Sequence, residues 1–197
     1  KASPARPDIV GFELIMGTKK FEGPVGEQKY RARGCATGNW VVSSEGWVSS
    51  EPEDDLMGKP VNLSSARLVV VHALAWGHEV QQADVRSAYC QAPLGGVVKY
   101  LRLPKYLRPA SWAGYRDPVV KLDRALYGLQ RSGFDWMRYC EGQLSKDGWV
   151  RVWSGEANVS RKCCKGLSEK GVSCKECRCA AFLCVYVDDF IPAAPPV

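Results

Sequence analysis

Asp84 closes the stretch Glu79-Val80-Gln81-Gln82-Ala83, and Asp188-Asp189 follows directly on the apolar run Phe182-Leu-Cys-Val-Tyr-Val187. A charged pair set directly after an apolar strand costs desolvation free energy unless a cation or a water-exposed turn compensates. Hard divalent cations are the natural compensators, because Mg²⁺ takes carboxylate oxygens and completes its shell with water and substrate phosphates. Two such ions about 3.5–4 Å apart activate an attacking hydroxyl and stabilise a leaving pyrophosphate. A plainer reading competes on spacing alone: Asp188-Asp189 as a hairpin turn and Asp84 as a strand-end cap, since adjacent acids are common at turns.

A second group with ligand chemistry is Cys163-Cys164, Cys174-x-x-Cys177 and Cys179. Four thiolates at such spacings can close tetrahedrally on one Zn²⁺, as a basic knuckle touching nucleic acid. Only one Cys-x-x-Cys is present, and zinc is the weaker reading of this segment.

The elements that must position these groups follow from local signals. Residues 1–28, rich in Gly, Pro and Lys, read as a poorly ordered lead-in. Lys29 to Val42 predicts a strand or hairpin, and the Ser- and acid-rich Ser43 to Pro60 predicts an exposed loop. A helix follows, capped by Asn62 or Ser64 and ended by Gly77, with Leu68, Val71 and Ala75 on one face and Leu74 beside them. Short strands are expected at Val80–Val85, Val98–Leu103 and Pro118–Leu122.

A second helix is expected from about Gly133 to Lys146. Ser132 and Asp135 have the spacing of a capping box, and Trp136, Cys140 and Leu144 form a buried stripe. Ser160 to Cys179 has no periodicity. Ala181 to Val187 reads as one buried strand, and the order of elements predicts an α+β fold with helices packed on an antiparallel sheet.

The 197 residues suffice for one domain with a real core. Formal net charge is +6, and between Arg161 and Arg178 six basic residues face two acidic ones, so most of it sits in the cysteine-rich segment. Charge alone therefore does not identify a nucleic-acid enzyme. No apolar run approaches the roughly 20 residues that span a bilayer, which predicts no membrane partner. The first seven residues lack the apolar stretch of a signal peptide and there is no initiator Met, so a fragment is expected. Cys35, Cys90, Cys140 and Cys184 stand singly among nine cysteines, which points to a reducing, intracellular setting.

Four segments, in order, carry a family resemblance. Gln82-Ala-Asp84-Val-Arg-Ser-Ala-Tyr89-Cys-Gln-Ala-Pro-Leu94 resembles the first catalytic motif of copia-type retrotransposon reverse transcriptases. Leu122-Asp-Arg-Ala-Leu-Tyr-Gly128-Leu-Gln-Arg-Ser-Gly-Phe-Asp-Trp136 resembles the family's Leu-Tyr-Gly-Leu-Lys-Gln-Ala-Pro-x-x-Trp segment. Tyr186-Val-Asp-Asp189 matches its Tyr-Val-Asp-Asp box, and Lys29-Tyr-Arg-Ala-Arg33, with Gly38 after it, is similar to its Lys-Ala-Arg fingers segment. The resemblance runs from Lys29 to Ile191 and matches poorly at Ser43–Asp55 and Ser160–Cys179.

The resemblance implies a right-hand polymerase fold, with fingers and palm in 29–197, an insertion at 160–179, and the thumb missing. It implies an RNA-directed DNA polymerase acting on an RNA or DNA primer–template with deoxynucleoside triphosphates, part of a longer retrotransposon polyprotein. Asp84 and Asp188 would hold two Mg²⁺ ions, with the Val85 carbonyl as a further ligand and Asp189 assisting. Ala88 and Tyr89 would bound the nucleotide pocket, Tyr89 lying under the sugar and excluding a 2′-hydroxyl. Arg33 would reach the triphosphate, while Tyr127 and Gly128 would lie beside template and nucleotide. From the residues themselves, Tyr89 also reads as a core aromatic, Arg33 as a solvated surface cation, and Trp136 as core.

Two departures weigh on activity. Gly133 stands where the family commonly has Pro, and Pro192 is expected to interrupt the strand returning from Asp188-Asp189 by removing a ladder donor. With no thumb in the sequence, weak grip on primer–template is expected. The rival expectation is a non-catalytic remnant that at most binds nucleic acid.

Overall fold

The computed structural model describes residues 8–43, 46–49, 61–153, 156–163 and 180–196. Its chain divides into two compact units. One comprises Lys1–Met57 and Tyr89–Asp135, the other Gly58–Ala88 and Trp136–Val197.

The first unit is built on a mixed five-stranded sheet in the order β3-β2-β1-β6-β7, formed by β1 (Asp8–Lys19), β2 (Lys29–Ser43), β3 (Gly46–Ser49), β6 (Lys99–Arg102) and β7 (Val120–Lys121). The expected lead-in is therefore wrong over Asp8–Lys19, which forms the central strand. Phe12, Leu14 and Met16 alternate as a strand requires, but Gly11 and Gly17 dilute the signal. β1 pairs antiparallel with β2 and parallel with β6. Val10, Ala36, Leu101 and Leu129 make the core of this unit. The loop expected over Ser43–Pro60 also gives way in part: β2 runs to Ser43 and Gly46–Ser49 pairs with it. The rest of that segment lies outside the described residues.

The second unit has an antiparallel sheet in the order β4-β11-β10-β9-β8, formed by β4 (Glu79–Val80), β8 (Val150–Trp153), β9 (Glu156–Lys162), β10 (Ala181–Tyr186) and β11 (Asp189–Ala194), with β5 (Ala83–Asp84) also on β11. Ser160–Lys162, expected to open an irregular insertion, is thus strand. Helix α1 (Leu63–Trp76) packs on β10 and β11. Its ends match expectation: Asn62 Oδ1 accepts from the Ser65 amide at 2.8 Å, and Gly77 takes φ 67° at the C-terminus.

Its buried face does not match. Ser65, Val69 and Ala73 face the sheet, while Leu68, Val71 and Leu74 are exposed by 62, 60 and 76 %. The helix is apolar nearly all round, so periodicity does not choose a face, and small Ser65 and Ala73 allow close approach to the strands. His72 packs edge-on against Phe182 at 4.6 Å between ring centroids and against His78 at 5.3 Å. Burial, then the His78 charge, lowers its pKa below the ordinary 6.5. Among the described residues no helix is long and apolar enough to cross a membrane.

Pro192 does not interrupt the return strand. β11 runs through it, opposite Leu183 on β10. On the other side the ladders Asp189↔Asp84 and Ala193↔Val80 share one register, so Pro192 stands opposite Gln81, whose amide donates to the Pro192 carbonyl at 3.0 Å. The bond that Pro192 cannot return is the one that would join β4 to β5. The missing donor thus splits the edge strand and leaves the β10–β11 hairpin whole.

Helix α2 (Ala88–Gln91) is a single turn, and α3 (Ser132–Lys146) carries the chain from the first unit into the second. Trp136 and Cys140 are buried as the stripe predicts. The capping box is not what Ser132 and Asp135 do. Ser132 Oγ donates to the Leu126 carbonyl and accepts from its amide, and Asp135 accepts from the Gly95 amide and pairs with Arg131 at 3.1 Å.

Candidate active site

In the second unit, the apolar run that forms β10 buries Leu183, Cys184 and Val185, then turns in two residues. Val187 and Asp188 are the turn, and Tyr186 pairs with Asp189 across it. Val187 takes φ 57°, and Asp188 does not share this left-handed conformation. A positive φ at the first turn position alone defines a type II′ turn, whose twist suits a hairpin and whose usual first residue is Gly. A residue with a side chain costs roughly 1–2 kcal/mol in this conformation. Against that cost stands one bond from a buried indole: Trp136 Nε1 donates to the Val187 carbonyl at 2.6 Å.

β5 meets β11 with Asp84 directly opposite Asp189. The Val85 amide donates to the Asp188 carbonyl at 2.8 Å, and Gln81 to Pro192, so bonded pairs fall on either side of this one. Asp84 and Asp189 therefore form a non-hydrogen-bonded pair, the arrangement in which opposed side chains stand closest, with Cα atoms about 4.5 Å apart. Like charges placed so repel. Gln82, two residues before Asp84 and on its face, donates its amide to Asp189 Oδ1 at 3.3 Å. Sequence reasoning missed Gln82, although the period of two marks it.

Asp188, expected to share the metal with Asp84, stands in the turn with its carbonyl bonded to Val85; the acid facing Asp84 is Asp189. Among the described residues no group of three His, Cys, Asp or Glu side chains is arranged as a metal cage. The opposed pair still fits what Mg²⁺ asks of a protein, which is one or two carboxylates with water and phosphates completing the shell. Of the cysteines read as zinc ligands, Cys163 is half-buried and forms no disulfide among the described residues. Cys164, Cys174, Cys177 and Cys179 lie outside the described residues.

In the first unit, Arg33, Tyr127 and Tyr89 come together. The Arg33 guanidinium lies 5.9 Å from the centre of the Tyr127 ring, and Tyr127 packs on Tyr89 at 4.8 Å between centroids. The register of β1 on β2 shifts between Val10 and Phe12, and the Tyr127 carbonyl accepts from the Ala36 amide there at 2.7 Å. Gly128 takes φ 90°, and a Cβ on it would strike the Ala36 carbonyl; a Cβ on Gly38 would strike the Gly128 carbonyl. The close approach that Gly128 permits is thus to its own chain. Ala88, expected to bound the nucleotide pocket, is 1 % exposed.

Trp136 was legible as core. Its bond to Val187, across 51 residues, was not. A buried indole N–H demands an acceptor, but the sequence does not say which.

Known protein families and solved structures give no match to this chain. Curated proteins do. The chain is 28% identical over 120 residues to the Transposon Ty1-BL Gag-Pol polyprotein of Saccharomyces cerevisiae, an alignment taking in 60% of this chain and 6% of the polyprotein. A Truncated transposon Ty1-A Gag-Pol polyprotein of the same yeast is also 28% identical over 120 residues, with 8% of its length covered. The chain thus corresponds to a small part of the curated relatives it matches, and what it is similar to is a stretch of retrotransposon Gag-Pol polyprotein.

Proposed function

We propose that this chain carries the nucleotidyl-transfer chemistry of a copia-type RNA-directed DNA polymerase, within a longer retrotransposon polyprotein. The observation that carries the reading is the opposition of Asp84 and Asp189 at the mouth of a tight hairpin, with Asp188 in its turn. Mg²⁺ bound there would neutralise charge developing on a transferring phosphate and on the primer hydroxyl. The protein's own part is to hold the carboxylates against their mutual repulsion, with Gln82 donating to Asp189 and the Val85–Asp188 bond closing the turn. The right-hand fold belongs to this proposal too: the second unit has a palm's character, an antiparallel sheet with a helix on it.

In the same reading the first unit recognises nucleotide and template. Its Arg33–Tyr127–Tyr89 stack offers a cation and two rings. The pairs Ile15↔Arg33, Gly17↔Arg31 and Lys19↔Lys29 also set Lys19, Lys29, Arg31 and Arg33 on one face of the β1–β2 hairpin, all exposed. Such a face suits phosphates.

Primer extension on a primed RNA template, with deoxynucleoside triphosphates and Mg²⁺ at low salt, tests the proposal. Template-directed incorporation that falls at least about 10²-fold in both Asp84→Asn and Asp189→Asn is the expected result. No incorporation, or incorporation indifferent to both substitutions, would overturn it.

A further inference from the structure

We propose that Trp136 is a positioning residue for the Asp188-Asp189 turn, setting the orientation of the turn's central peptide from inside the fold. The inference rests on the polymerase reading for its consequence, though not for its geometry.

Trp136 is 3 % exposed, near the start of α3, and its one polar atom is spent on the Val187 carbonyl. That carbonyl belongs to the peptide linking Val187 to Asp188, the central peptide of the turn. Type I′ and type II′ turns differ chiefly by a flip of this peptide. A fixed donor on one side of it therefore selects one turn type. Both turn types ask the first residue for positive φ, but type II′ also asks it for ψ of about −120°. The selection matters here because glycine takes that combination readily and β-branched Val187, at φ 57°, resists it. Nothing in the local sequence favours the conformation: the turn has neither Gly nor Asn at its first position.

The consequence reaches both acids. A flipped peptide changes the backbone angles at Asp188, moves the carbonyl that accepts from Val85, and shifts the register in which Asp189 faces Asp84. The indole's one N–H goes to the Val187 carbonyl, so its hydrogen bonding acts on the acids through the backbone.

The test separates positioning from simple core packing by asking whether glycine relieves the need for the indole. Hydrogen exchange is followed by mass spectrometry over peptides containing Val85 and residues 184–189, in Trp136→Phe, Val187→Gly and the double variant. Trp136→Phe should speed exchange at these amides about tenfold, the scale of one lost buried hydrogen bond. The same change in the Val187→Gly background should speed it less than about threefold, because glycine takes the first-position angles of a type II′ turn unaided. Equal acceleration in both backgrounds, or none in either, would overturn the inference. If Trp136→Phe fails to fold, folding regained on adding Val187→Gly supports it, and failure of both makes the indole mere core and overturns it.

Where extension is measurable, Trp136→Phe should lower kcat with the nucleotide KM unchanged, and Val187→Gly should restore it; a loss that Val187→Gly leaves in place counts against positioning. Absence of extension in the unsubstituted chain would sink the polymerase reading alone, with hydrogen exchange still deciding this one.

Discussion

Trp136 and Val187 are 51 residues apart, yet the indole of one holds the backbone of the other at 2.6 Å. Val187 keeps a left-handed φ of 57° without being glycine. Replacing it with glycine removes that strain, about 1–2 kcal/mol, and adds a backbone entropy cost of roughly 0.5–1 kcal/mol. The difference runs from about 0 to 1.5 kcal/mol in favour of glycine, so Val187→Gly should leave the midpoint of thermal unfolding unmoved or raise it slightly. Val185→Gly, two residues earlier in buried β10, should cost about 2–5 kcal/mol. Comparable losses at both positions would show that Val187 is not strained.

The opposition of Asp84 and Asp189 makes a prediction about stability in the absence of metal. Relieving the like-charge contact by Asp84→Asn should stabilise the metal-free chain by roughly 0.2–1 kcal/mol, and less as salt rises. Added Mg²⁺ should then raise the unfolding temperature of the unsubstituted chain more than that of the variant, because only the former keeps both carboxylates. Calorimetry with and without Mg²⁺ reads both effects. A variant less stable than the parent without metal would refute the repulsion.

Gly128 and Gly38 are read here as packing glycines. Gly128→Ala combines an unfavourable φ of 90° with a collision against the Ala36 carbonyl, and Gly38→Ala collides with the Gly128 carbonyl. Each should lose about 2 kcal/mol or more of stability, measured by denaturant unfolding with no ligand present. Normal stability with a selective loss of nucleotide binding would return Gly128 to the role that the family resemblance gave it.

His72 predicts a pH dependence. Burial against Phe182 of β10, with His78 adjoining, lowers its pKa in the folded state. The unfolded chain then binds a proton that the folded chain resists, so stability rises with pH across the interval between the two values. The His72 contribution should be intact above the ordinary 6.5, decline as pH falls through it, and level off below the lowered folded value. His72→Gln should flatten that part of the curve in chemical denaturation followed from pH 8 to pH 5. An unchanged slope would mean that His72 does not carry it.

How much could be read beforehand depended on how local each signal is. Asn62 and Gly77 end α1 through chemistry written in their own side chains, an acceptor for an orphan amide and freedom at positive φ, and both were legible. The stripe of Trp136 and Cys140, and the apolar run that becomes β10, were legible for the same reason. The acids were candidates from residue type alone. Which acid faces which was not, because that is a matter of register: a shift of one residue would put Asp188 where Asp189 stands.

The face of α1 was misread because a helix apolar on every side carries no preference until a sheet is laid against one of them. Pro192 was misread because its missing donor matters only on the side where a partner strand runs, and that side is fixed by tertiary pairing. Gly128, Gln82 and Trp136 divide likewise. Their capacities for close approach, amide donation and indole donation are properties of the residue, whereas Ala36, Asp189 and Val187 as recipients are distant in sequence and were chosen by packing. The sequence by itself determined which groups could do chemistry, where the two long helices would run and where the buried run of β10 would lie. Only the tertiary structure decided which of those groups meet, because a side chain encodes what it can bond to and not where in space the partner will lie.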